Sequence, residues 1–115
     1  MNILHIAIGL FALAAVFGLI VLLKVLKGEA TPKPAVFIHG LIAASALGIL
    51  LYYVAMNSDK APVTSLVIFV VAALGGFILF FLDMSKKPLP KALALIHAGA
   101  AVVGLVLLIA FVAGV

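Results

Sequence analysis

The chain contains no cysteine, so disulfides, thiolate metal ligands and thiol nucleophiles are unavailable to it. Charge is scarce as well. Only 9% of the 115 residues are charged, and the three acidic ones, Glu29, Asp59 and Asp83, lie outside the middles of the apolar stretches. A small membrane exporter driven by protons calls for a carboxylate near the membrane midplane, and none is offered. A polar surface of the kind that a soluble domain needs is also missing. Hydrophobic residues make up 69% of the chain and the mean hydropathy is +1.55, against roughly 45–50% apolar residues in globular domains. A chain this short cannot hide that much apolar surface from water.

What is present is four apolar runs, Ile3–Leu26, Ala35–Met56, Val63–Leu82 and Ala92–Val115. Each suffices to cross a hydrocarbon core of ~30 Å, which takes ~20 helical residues. The intervening polar stretches, residues 27–34, 57–62 and 83–90, are too short for another domain, and each has proline near the next helix start, where its missing N–H costs little. The sequence therefore predicts an all-α protein, a four-transmembrane-helix up-down bundle. The first run lacks a basic leader and is too long for a cleaved signal peptide. Lys24, Lys27, Lys33, Lys86, Lys87 and Lys91 flank the first and third connections, and only Lys60 lies at the other side. The positive-inside rule makes the lysine-rich side cytoplasmic and both termini external, as in a bacterial inner-membrane protein. The formal charge of +4 is accounted for by topology and anionic lipid headgroups, with no nucleic-acid partner expected.

The chain reads as a tandem duplication of a two-helix unit, residues 1–57 and 58–115, within one membrane domain. A shift of fifty-eight residues aligns the halves without a gap, with fourteen identities in fifty-seven positions, against roughly six expected from so biased a composition. Phe11, Ala14, Ala15, Gly18 and Ile20 match Phe69, Ala72, Ala73, Gly76 and Ile78. Pro32-Lys33 and Ile38-His39 match Pro90-Lys91 and Ile96-His97. Two-helix repeats share one orientation, related by an axis along the membrane normal. His39 and His97 then become mates at one depth, each ~10 Å along the helix from its proline. Gly40, Ala44 and Gly48, like Ala14/Gly18 and Ala72/Gly76, form small-residue stripes expected to serve close helix packing. Ala43 and Ala46 follow His39 by four and seven positions, and Ala101 and Gly104 follow His97 likewise. The faces beyond both imidazoles are thus stripped of bulk, as a flat ligand requires.

A duplicated pair of imidazoles in lipid admits several readings. The plainest is a pair of interhelical hydrogen bonds, worth about 0.6 kcal/mol on average. A zinc site needs three or four ligands, and two imidazoles without thiolates or nearby carboxylates do not complete one. Haem meets the constraint better, because the porphyrin brings four nitrogen ligands and leaves two axial positions. Lys33 and Lys91 form a symmetric pair of cations suited to its propionates. Non-redox carriage of haem or another small molecule, and a structural accessory subunit, remain alternatives.

With four spans and the Ile38-His39 and Ile96-His97 pairs, the chain resembles the small four-helix membrane b-type cytochromes, the broad class of cytochrome b561. The resemblance covers the whole architecture. It implies non-covalent haem b held by His39 and His97, and electron exchange with a quinone or a redox protein. No Cys-x-x-Cys-His run exists for covalent attachment. Two axial imidazoles leave no open iron position for oxygen chemistry, though quinone- or superoxide-linked turnover at the haem edge stays compatible. Members of that class often carry a second haem, and here the chain departs. His5 is the only other histidine and its repeat mate is Val63. It lies ~20 Å in depth from the other two, so an outer haem needs His5 with Met56, with the His5 of a second copy in a homodimer or with another ligand, and the plainer reading of His5 is an interfacial histidine near the N-terminus. Tyr52 and Tyr53 are expected in the interfacial aromatic belt, and Asp83 is expected to pair with Lys24, Lys86 or Lys87.

Overall fold

The computed structural model describes residues 2–115 and has four helices in sequence: α1 (Ile3–Leu26), α2 (Lys33–Met56), α3 (Val63–Met84) and α4 (Lys91–Ala113). All four are long and apolar enough to cross a membrane. The bundle measures 44 × 22 × 21 Å, which matches a bilayer including its headgroup layers. Its outward face is apolar, with Leu41 71% and Ile96 66% exposed, a surface suited to lipid and not to water. Helices α2 and α4 begin at their lysines, earlier than the apolar runs do, because hydrogen bonding continues past the hydrophobic band. Pro34 at the start of α2 is tolerated there. Asn2 caps α1, its side-chain oxygen accepting from the Leu4 N–H at 2.9 Å. Gly114, in the left-handed conformation, ends α4.

Helix α1 packs chiefly on α2, and α3 on α4, so each sequence repeat is a helical hairpin. The two hairpins meet more closely along α1–α4 than along α2–α3, and α1/α3 and α2/α4 are the diagonals. The looser α2–α3 seam is bridged by an edge-on contact of Phe37 with Phe80, ring centres 5.7 Å apart.

The core is lopsided. Leu4, Ala7, Phe11, Ala46, Leu50, Phe69 and Leu108 form one buried cluster, all of it toward the end where the termini lie. At its inner edge Phe11 and Phe69 stack across the α1/α3 diagonal, centroids 3.9 Å apart and planes within 2°. Ring quadrupoles disfavour so full an overlap, so it is the packing of the helices that holds the stack. A Cβ on Gly104 would sit 3.1 Å from Phe69 Cζ, so the ring lies close against this glycine and would have to shift by a few tenths of an ångström to admit a side chain. Toward the lysine-rich end only Val25, Thr31 and Ala94 are buried beyond the central Ala14 and Ala72.

The expected packing stripe on α2 is corrected here. Gly40, Ala44 and Gly48 all face outward, and nothing lies within 4 Å of a Cβ built on either glycine. Helical spacing identifies a stripe but does not say which way it faces. The stripes on α1 and α3 do face inward, with Ala14 and Ala72 buried.

The ends of α1 and α3 repeat the same turn. Glu29 N–H donates to Lys24 O and Gly28 N–H to Val25 O, while Lys87 N–H donates to Leu82 O and Lys86 N–H to Asp83 O. These are paired Schellman motifs, whose left-handed residue is usually glycine. Gly28 fits that preference at φ 70°, but its repeat mate is Lys86 at φ 58°, a conformation costing a side-chain-bearing residue roughly 1–2 kcal/mol.

Two ion pairs form at this end. Lys24 Nζ lies 3.3 Å from Glu29 Oε1 with both side chains about half exposed. Asp83 pairs with Lys33 at 2.9 Å, and not with Lys24, Lys86 or Lys87 as its sequence neighbourhood suggested. Thr31, itself buried, donates to the same carboxylate oxygen at 2.7 Å. The pair thus ties the last turn of α3 to the start of α2. Asp83→Asn is expected to lower unfolding stability by about 1–2 kcal/mol, and Lys24→Gln by less than about 0.5 kcal/mol. Equal losses in detergent unfolding would contradict this ranking.

Candidate functional site

His39 and His97 project from the diagonal helices α2 and α4 toward equivalent seats on α1 and α3. Each seat is an alanine and a glycine one turn apart. His39 Nδ1 lies 2.7 Å from the carbonyl oxygen of Ala14, and His97 Nδ1 lies 2.7 Å from that of Ala72. A carbonyl carries two lone pairs, so it can serve its own helix and a side chain together. Glycine four residues ahead leaves the oxygen uncovered. A Cβ on Gly18 would approach His39 Cε1 to 2.9 Å, and one on Gly76 would approach His97 Cε1 to the same distance. Real Cβ contacts are not that short, so the imidazoles lie where these side chains would be.

This arrangement fixes the chemistry of each ring. A carbonyl oxygen only accepts, so Nδ1 carries the proton and, in the neutral ring, Nε2 carries the lone pair. A backbone carbonyl on one imidazole nitrogen is the usual partner that orients the other toward a metal. The two ring centres are 6.2 Å apart, with planes crossing at 87°. An imidazole–metal–imidazole axis spans about 6 Å between ring centres, from two bonds of about 2 Å and about 1 Å within each ring. The distance between ring centres is thus of the size that two imidazoles sharing one metal atom would have. Among the described residues no group of three or more histidine, cysteine or carboxylate side chains could hold a metal ion. A metal held here needs further donors from outside the chain, and a porphyrin provides them.

The other residues singled out from sequence lie as follows. Ala43 and Ala101 are half-buried, one turn beyond the histidines toward the phenylalanine stack. Ala46 is fully buried in the core cluster, and Gly104 lies under Phe69, so both serve the aromatic layer. Lys33 is engaged by Asp83, whereas Lys91, its repeat mate, has no carboxylate within ion-pair distance among the described residues. The repeat mate of Asp83 is Val25, which is why the second lysine goes without. His5 stands exposed in the first turn of α1 at the opposite end, and Met56 is 65% exposed at the end of α2. The described contacts do not join them.

The seats themselves were visible in sequence only as matched identities. Gly18 precedes His39, and Gly76 precedes His97, by the same twenty-one residues. That shared spacing is the available signal, and by itself it implies only close helix packing. Comparison with protein-family models, curated proteins and solved structures returned no match.

Proposed function

We propose that this protein is a membrane b-type cytochrome that takes part in electron transfer, with haem b between α2 and α4. The observation that carries the reading is the pair of imidazoles 6.2 Å apart, each with Nδ1 bound to a backbone carbonyl. His39 and His97 would hold the haem iron through Nε2, and the Ala14 and Ala72 carbonyls keep both rings in the tautomer that leaves Nε2 unprotonated. Ala43 and Ala101 keep the adjoining faces low, and Phe11 and Phe69 close the site toward the termini. Lys91, with Lys33 beside it in the repeat, supplies positive charge for the propionates. Bound haem would supply a one-electron couple there. The small contrast between the two faces of the site follows from the duplication, since each imidazole has the same seat.

Several finer points belong to the same reading. The lysine-rich end faces the cytoplasm and both termini lie outside, by the positive-inside rule. A membrane quinone or a redox protein is the exchange partner in this reading.

Absorption spectroscopy of protein purified after expression with ample haem tests the reading. The expected result is a sharp Soret band and a reduced α-band, both lost in His39→Ala and in His97→Ala, with His5→Ala unchanged. A spectrum indifferent to both substitutions would sink the assignment. Reduction of the bound haem by a quinol would favour electron transfer over carriage.

A further inference from the structure

Lys86 occupies a backbone position at which the first repeat has glycine, and its side chain lines a cavity of about 480 Å³ at the lysine-rich end. Lys33, Lys87 and Lys91 line the same cavity, together with Glu29 and Asp83. Both carboxylates already have cations: Glu29 is held by Lys24, and Asp83 by Lys33 and Thr31. Lys86, Lys87 and Lys91 have no such partner among the described residues. Three lysines without a carboxylate partner line one concavity, and an anion held among them would offset their mutual repulsion.

We propose that this cavity is a binding site for a phosphate group, held by Lys86, Lys87 and Lys91. The positive-inside rule accounts for lysines on this side of a membrane, but it does not account for a lysine in a left-handed turn. A glycine there would relieve the backbone, as Gly28 does in the equivalent turn. Strained residues of this kind gather at ligand clamps. The cavity opens at the level of the lipid headgroups, where the phosphate of an anionic lipid and free phosphate are both at hand. The site shares Lys91 with the haem reading but makes no use of His39 or His97, and its test is read at Lys86, which the haem reading does not involve, so the two can fail separately.

Lys86→Gly provides a clean test, because glycine is the natural occupant of this conformation and the variant should unfold no more easily than the wild type. Two probes distinguish the sources: phosphatidylglycerol against phosphatidylcholine, followed by native mass spectrometry of retained lipid, and inorganic phosphate against chloride at equal ionic strength, followed by calorimetry. The expected result is binding of at least one phosphate probe, weakened about tenfold or more in Lys86→Gly and unchanged in Lys60→Ala at the other end of the bundle. Retention of phosphatidylglycerol alone assigns the site to lipid, and a response to inorganic phosphate assigns it to the free anion. Binding of neither probe by the wild type, or equal binding by wild type and Lys86→Gly, would overturn the proposal.

Discussion

Gly76→Ala should weaken haem binding by about 10–100-fold, the range expected when a partner that orients a metal ligand is lost. The added Cβ would stand 2.9 Å from His97 Cε1 and 3.4 Å from Nδ1. The ring cannot yield by a small rotation, because its Nδ1 is bound to Ala72 O at 2.7 Å. It must leave its seat, or α3 and α4 must separate. Gly18→Ala should have the same effect on His39, whose Cε1 is equally close. Gly75→Ala is the matched control, since its Cβ would meet His97 Cβ at 3.7 Å, an ordinary contact, and haem affinity should hold. Haem titration of the three variants checks this. Unchanged affinity in both Gly18→Ala and Gly76→Ala would mean that the imidazoles bind iron from some other seat.

Phe69→Ala should be the most destabilising single substitution outside the histidine layer, at about 3 kcal/mol. In lipid the loss is one of packing contacts and not of burial from water. Phe69 is 5% exposed, stacks on Phe11 and covers Gly104, so three helices lose a shared contact at once. Removing it leaves a void in the only well-filled part of the bundle. Phe69→Leu should cost less than half as much, because a branched aliphatic side chain refills part of the space. Equilibrium unfolding in mixed micelles would show the difference. A loss under about 1 kcal/mol for Phe69→Ala would show that the stack does not hold the two hairpins together.

The architecture was legible in the sequence because hydropathy and length report directly on solvent, and lipid imposes few options on a backbone that must satisfy its own hydrogen bonds. The histidine pair was legible for a different reason: duplication turns one intramembrane histidine into two at equal depth. Facing direction was not legible. Helices that are apolar all round carry no polar face to reveal which side is inside, and so nothing in the sequence distinguishes the outward-facing Gly40, Ala44 and Gly48 stripe from an inward one. Side-chain partners across the repeat boundary escaped for a related reason. Asp83 binds Lys33, fifty residues away in sequence, while three other lysines stand close by in the chain. The role of Gly18 and Gly76 depends on which carbonyl an imidazole reaches, and no composition or spacing encodes that. Lys86 escaped because a left-handed lysine looks like any other lysine until the turn is seen.

The two ends of the bundle also divide its labour. The end bearing the termini is filled by leucines and stacked phenylalanines and gives the hairpins their fixed relation. The lysine-rich half holds the imidazoles, their glycine seats and the charged cavity, with little apolar filling of its own. Such a distribution suits a protein whose lysine-rich half is completed by a ligand, and that ligand would then contribute to its stability by binding only the folded state.

The measurement that bears most directly on this account is the haem content of the purified protein after expression with haem in excess. The expected result is one six-coordinate, low-spin haem per chain, removed by His39→Ala and by His97→Ala alike. A colourless protein that takes up no added haem, with its four helices intact, would contradict it.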